Sequence, residues 1–129
     1  MNKFVIDAYA WIEYFKGTVP GEKVKNIVED SNNLIYTNVI TIAELSSFFE
    51  RKDSSFKEAK KLLISLSSPI PINTEFADEA GKLHAELKKK IRHIGLADIL
   101  VLLTAKKLNA KVVTGDEDFR DLKETYMIK

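Results

Sequence analysis

The sequence predicts an α/β protein: a three-layer α/β/α sandwich with a mostly parallel central sheet. Two observations predict it. Short β-branched runs such as "FVI", "LIYT" and "KVVT" recur along the chain, and stretches with apolar residues at helical spacing stand between them. Strands that alternate with helices pair in parallel, because each crossover returns the chain to the same edge of the sheet. A length of 129 residues with 45% hydrophobic content suits one domain, residues 1–129, able to bury its own core. No repeat, low-complexity segment or linker divides it.

The elements follow in order. "KFVIDAY" reads as a buried strand, and "YAWIEYFKG" as a helix whose Trp11, Ile12, Tyr14 and Phe15 precede the stop at Gly17. "PGEKVKNIVEDSN" is a second helix, carried by Val24, Ile27 and Val28 and ended by Ser31, Asn32 and Asn33 before the strand "LIYT". "VITIAELSSFFER" and "SSFKEAKKLLISL" form a helical pair broken near Asp53 and Ser54, with Ser55 and Glu58 at capping-box spacing. Pro69 and Pro71 frame "IPI", an edge strand or connector. "TEFADEAGKLHAELKKK" is a long amphipathic helix and "LADILVLLTAKKL" a nearly all-apolar one. The strand "AKVVTG", a short acidic helix and "TYMIK" complete the chain.

Composition removes several function classes. Cysteine is absent, so disulfides and thiolate metal sites are excluded, and only His84 and His93 offer imidazole. A metal here would be held by oxygen. No apolar run reaches the ~20 residues of a membrane span, and the first residues lack a secretory signal, so a cytoplasmic protein with no membrane partner is expected. Lys+Arg 20 against Asp+Glu 19 is no polycation. The local exception is "KLHAELKKKIRH", where Lys88, Lys89, Lys90, Arg92 and His93 form either a solvated helix end or a phosphate-contacting patch.

Four carboxylates stand at corresponding places. Asp7 closes the first strand and Asp116 follows the late strand, two residues past Thr114. Asp98 lies in the first turn of "LADILVLLTA", and Glu44 in the first turns of the helix containing "TIAEL". Taken singly, each has an ordinary structural explanation. Asp7 and Asp116 suit N-caps, Asp98 suits a helix N-terminus, and Glu44 could complete a Thr41-x-x-Glu44 capping box. Taken together they sit where ligands gather in parallel α/β folds, at the carboxyl ends of the strands. Asp98 is flanked by Leu96, Ala97, Ile99 and Leu100, where a charge without compensation is costly to bury.

Carboxylates ~5 Å apart repel by roughly 3 kcal/mol per pair at an effective dielectric of about 20, so an apposed set needs a counter-charge. Hard oxygen ligands suit Mg²⁺ or Mn²⁺, and such ions support phosphodiester hydrolysis. Other acid-bearing α/β sites fit poorly. A haloacid-dehalogenase-like phosphatase needs Asp-x-Asp where "DAY" stands, and a receiver domain needs an acidic pair there. Dinucleotide and P-loop folds need a glycine pattern that "DAYAW" lacks.

With its acids in the order Asp7, Glu44, Asp98 and Asp116, the chain resembles the PIN-domain family, in particular the VapC-type ribonuclease toxins of toxin–antitoxin pairs. "FVIDAYAWIEYF", "VITIAEL", "GLADILVLLTA" and "VVTGDEDF" are similar to the family's four motifs, over nearly the whole chain. The resemblance implies an Mg²⁺- or Mn²⁺-dependent endoribonuclease with these four acids as catalytic and metal-holding carboxylates; a PIN-domain nuclease of RNA processing and a non-catalytic binding module whose acids are only helix caps are the alternative readings. It makes Thr114 the hydroxyl beside them and Asp118 an auxiliary acid or helix cap. RNA as substrate, a cognate antitoxin protein and a homodimer follow from the same resemblance. Many relatives carry a small hydroxyl residue soon after the first aspartate, whereas Ala8 and Tyr9 follow Asp7 here. Tyr9 could stack on a base or simply pack at the helix start.

Overall fold

The computed structural model describes residues 1–129. Five strands form one sheet in the order β3-β2-β1-β4-β5, every neighbouring pair parallel. The strands are β1 (Lys3–Ile6), β2 (Leu34–Asn38), β3 (Ser68–Ile70), β4 (Lys111–Thr114) and β5 (Thr125–Met127). The helices are α1 (Ala8–Lys16), α2 (Val19–Val28), α3 (Val39–Arg51), α4 (Lys57–Leu66), α5 (Thr74–Leu87) and α6 (Leu96–Leu108). The acidic segment after β4 is a single 3-10 turn, Glu117–Phe119. "TYMIK" supplies the edge strand β5.

Alternation along β1 divides the core. Phe4 and Ile6 point into one layer with Trp11, Ile27, Leu45 and Leu63, whereas Val5 points into the other with Phe76, Ile94, Leu102 and Phe119. A period of two sends successive side chains to opposite faces, and helices cover both. Trp11 is fully buried, and its indole N–H donates to Thr37 Oγ1 at 3.1 Å. Stacked and edge-on rings continue outward from it through Phe15, Phe49 and Phe56.

Helix ends explain where the chain turns. Gly17 closes α1 in the left-handed conformation, φ 69°, and Asn109 closes α6 in the same way, φ 54°. Two expected capping boxes are not formed. Asn38, not Thr41, caps α3, so Thr41 lies inside the helix with a buried hydroxyl that has no hydrogen-bond partner. Phe56 takes the cap position of α4, and the Ser55 hydroxyl accepts from Lys57 N–H instead of joining Glu58.

The strand order also fixes the crevice. The chain moves outward from β1 to β2 and β3, then crosses back to lay β4 and β5 on the other side of β1. The reversal falls between β1 and β4, and ligands of open α/β sheets bind at the carboxyl ends there. Ile6 pairs with Val113, which brings Asp7 and the segment from Thr114 to Asp118 to the same edge.

Candidate active site

Asp7 follows β1, and its backbone N–H donates to Val113 O at 3.2 Å, continuing the ladder into the crevice. Its carboxylate is buried. Across the crevice, one carboxylate oxygen from each of Asp98, Asp116 and Asp118 lies within 4.8 Å of the others. Asp118 thus joins the cluster through its side chain. Asp7 and Glu44 stand outside that triplet but feel its charge: Asp7 from Asp98 and Asp116, Glu44 from Asp98.

Asp7 and Asp116 are helix N-caps, and Asp98, in the first turn of α6, reaches back to the N–H of its cap Gly95. Asp7 Oδ1 accepts from Ala10 N–H at 2.8 Å, Asp116 Oδ1 from Asp118 N–H at 2.9 Å, and Asp98 Oδ2 from Gly95 N–H at 3.1 Å. Capping and ligation are compatible here. One oxygen held by a backbone N–H fixes each carboxylate's rotamer, and the second oxygen remains for another partner. No lysine, arginine or histidine forms an ion pair with Asp7, Glu44, Asp98, Asp116 or Asp118.

The electrostatics express that lack. Burial pushes the Asp7 carboxyl up to about 7, against the opposing pull of the facing Thr114 hydroxyl and the Ala10 N–H; the charges of Asp98 and Asp116 add to the rise. Desolvation raises Asp98 as well, with Asp116 and Asp118 contributing repulsion against the lowering hydrogen bond from Gly95. Glu44, exposed as a residue, is raised by partial desolvation of its carboxyl and by Asp98.

Neighbouring groups shape the crevice. Thr114 is buried, and its hydroxyl accepts from Asp116 N–H at 3.0 Å, fixing the turn that delivers Asp116. Tyr9 packs against Gly115, where a methyl group would collide with its ring, and its hydroxyl accepts from Lys129 Nζ at 2.6 Å. The packed position at the helix start is therefore the one Tyr9 occupies. The basic run follows α5 and leads through Gly95 into the first turn of α6, which carries Asp98. Lys88 donates to Arg92 O at 2.9 Å and Lys89 pairs with Glu86 at 3.4 Å, while Lys90 and Arg92 are exposed and their charged groups have no partner.

Sequence reasoning passed over Asn38 and Thr104, which hydrogen-bond each other in the interior. A lone hydroxyl within the apolar "LVLLTA" and an Asn directly before a helix were the available signals.

The donor set fits a hard divalent cation. Opposite oxygens around Mg²⁺ stand ~4.2 Å apart when each is ~2.1 Å from the ion, and adjacent ones closer, so three oxygens that all lie within 4.8 Å of one another can converge on one cation after small side-chain adjustments. Asp98, Asp116 and Asp118 would hold it directly, with Asp7 and Glu44 at its flanks.

Fold and site together define a parallel α/β domain that gathers uncompensated carboxylates at its topological switch point. The PIN domain family model matches residues 4–125, and the chain belongs to that family. No curated protein matches the chain by sequence. Among solved structures, a toxin–antitoxin complex from Klebsiella pneumoniae contains a chain 18% identical, at TM-score 0.76, with 97% of each chain covered. VapBC-1 from nontypeable Haemophilus influenzae is 22% identical at TM-score 0.73, over 98% of each chain. VapC20 of Mycobacterium tuberculosis, described as a sarcin-ricin loop cleaving toxin, is 12% identical at TM-score 0.72, over 90% of this chain and 92% of that one. At these identities the likeness is one of fold.

Proposed function

We propose that the protein is an Mg²⁺- or Mn²⁺-dependent endoribonuclease and the toxin of a VapBC-type toxin–antitoxin pair. The observation that carries this reading is the arrangement of Asp7, Asp98 and Asp116, each with one oxygen on a backbone N–H and none paired with a cationic side chain. Membership of the PIN family supports a nuclease, and fold neighbours described as toxin–antitoxin complexes support an antitoxin protein as partner. No helix is long and apolar enough to cross a membrane, in keeping with a cytoplasmic RNA substrate. A homodimer belongs to the same proposal.

The residues divide the work. A bound cation supplies positive charge against the substrate phosphate and acidifies the attacking water. Asp98, Asp116 and Asp118 would hold it, with Glu44 completing the acidic rim. Asp7 Oδ1 is held by Ala10 N–H, and Oδ2 is the atom that would carry a proton or meet the cation. Thr114 fixes the turn after β4, and Lys90 and Arg92 offer phosphate contacts beside the crevice. Single-stranded or looped RNA suits this site, because splayed strands expose their backbone to a shallow crevice.

Cleavage of a mixed structured RNA by purified protein, with Mn²⁺ or Mg²⁺ and beside EDTA and Asp98→Asn, tests the enzyme. Cutting lost in both controls is expected. Cutting that persists in EDTA would reject the metal-dependent reading. The toxin role is tested by expression in cells: arrested growth, relieved by the neighbouring open reading frame, is expected, and unimpaired growth of cells making active enzyme would favour RNA processing.

A further inference from the structure

Asn38 and Thr104 form a buried polar contact outside the acid cluster. Asn38 Oδ1 accepts from Ile40 N–H at 2.8 Å while capping α3, which leaves Nδ2 to donate to Thr104 Oγ1 at 2.9 Å. The Thr104 hydroxyl proton goes to Leu100 O at 2.7 Å. These partners assign both ends of the amide and the direction of the hydroxyl, so neither side chain can turn without losing a bond. The pair is almost wholly buried, at 0% and 1% exposure. Capping accounts for the Asn38 oxygen, but not for an amide N–H that meets a hydroxyl in the interior, so the Asn38–Thr104 contact calls for a reason beyond the cap.

Spacing supplies the reason. Glu44 lies six residues after Asn38, and Asp98 lies six before Thr104, about 9 Å along each helix. α3 packs against α6, and the charge of Asp98 raises Glu44 across that contact. The contacts are crossed, as in an antiparallel pair: the start of α3 meets the middle of α6, and the middle of α3 approaches the start of α6. A slip of one turn would move Glu44 by about 5.4 Å relative to Asp98.

We propose that the Asn38–Thr104 hydrogen bond sets the register of α3 on α6 and so places Glu44 beside Asp98, making both residues positioning residues for the divalent-cation site. The inference rests on the cation site of the proposed function. It predicts that Glu44 is lost to the site when the bond is removed, although neither partner touches the ion.

Mn²⁺ uptake by the purified full chain, measured calorimetrically without RNA, tests it. Thr104→Val keeps the shape but removes the hydroxyl, and Asn38→Ser keeps a capping oxygen but cannot reach Thr104. Each is expected to weaken Mn²⁺ binding by about 10-fold or more, the usual effect of removing a group that orients a ligand. Thr104→Ser should stay within about twofold of the wild type, because it retains the hydroxyl. Urea denaturation of every variant identifies folded protein, and Val24→Ala, in the other core layer, controls for lost stability. Wild-type affinity in Asn38→Ser or in folded Thr104→Val would overturn the register role, as would an equal loss in Val24→Ala. If the wild type itself takes up no Mn²⁺, the cation site falls and the register role with it; if it binds and the variants bind as tightly, the register role alone falls.

Discussion

Asp7 Oδ1 accepts a 2.8 Å hydrogen bond from Ala10 N–H, so the acid that caps α1 is also the buried acid at the switch point of the sheet. The bond fixes the carboxylate but does not offset its burial, which holds it at about 7 in place of the usual 3.8. The folded protein therefore binds more protons at Asp7 than the unfolded chain does between those values. Without a cation, this stability is fully present below pH 3.8 and is lost as pH rises through 7. The shift corresponds to on the order of 4 kcal/mol. Raised Asp98 and Glu44 act in the same direction. Asp7→Asn retains a capping oxygen. In EDTA it should be more stable than the wild type at pH 8 and less sensitive to pH, by urea denaturation at pH 5 and pH 8. A profile as steep as that of the wild type would show that Asp7 is not the source.

Mn²⁺ should reverse that penalty. A ligand that binds only the folded state stabilises it by about 2.7 kcal/mol at 100 times its Kd. At pH 8 the wild type should gain roughly this much in saturating Mn²⁺, while Asp98→Asn and Asp116→Asn gain little. Both variants should match or exceed wild-type stability in EDTA, since each removes a charge from the cluster. A marked loss of stability in EDTA would mean that these carboxylates act mainly as caps.

Gly115 is small because Tyr9 lies against it. Gly115→Ala should displace the ring, break its bond to Lys129 and disturb the turn between Thr114 and Asp116, at a cost of about 1–3 kcal/mol. Tyr9→Ala in the same chain makes room for the methyl group, so the double variant should be more stable than the sum of the single effects allows. Additive losses in thermal denaturation would remove the steric explanation.

The legible parts of this molecule are those governed by neighbours in sequence. β-branched runs and helical spacing locate the strands and helices, and Gly17 ends α1 where a left-handed residue is needed. Asp7 and Asp116 can be read both as caps and as site residues, and geometry makes each a cap through one carboxylate oxygen. What spacing does not reveal is competition. Asn38 reaches the cap position before Thr41 can, and the tight 3-10 turn, not a longer helix, swings Asp118 toward Asp98. The Asn38–Thr104 bond spans 66 positions and depends on how two helices pack, for which local periodicity holds no information.

The basic run after α5 makes a graded prediction. Lys88 is held by Arg92 O and Lys89 by Glu86, whereas Lys90 and the Arg92 guanidinium are free to meet phosphates near the start of α6. Each phosphate contact on a single strand contributes about 0.7 to the slope of log K against log salt. Lys90→Ala with Arg92→Ala should therefore flatten the slope by about 1.4 in binding assays with cleavage-deficient Asp98→Asn protein. Lys89→Ala should change it less, because its charge is already partly satisfied by an exposed pair. Equal slopes for all these proteins would return the run to a solvated helix end. A larger effect from Lys89 than from Lys90 and Arg92 would instead show that the surface pair opens readily and that RNA approaches along the face of α5.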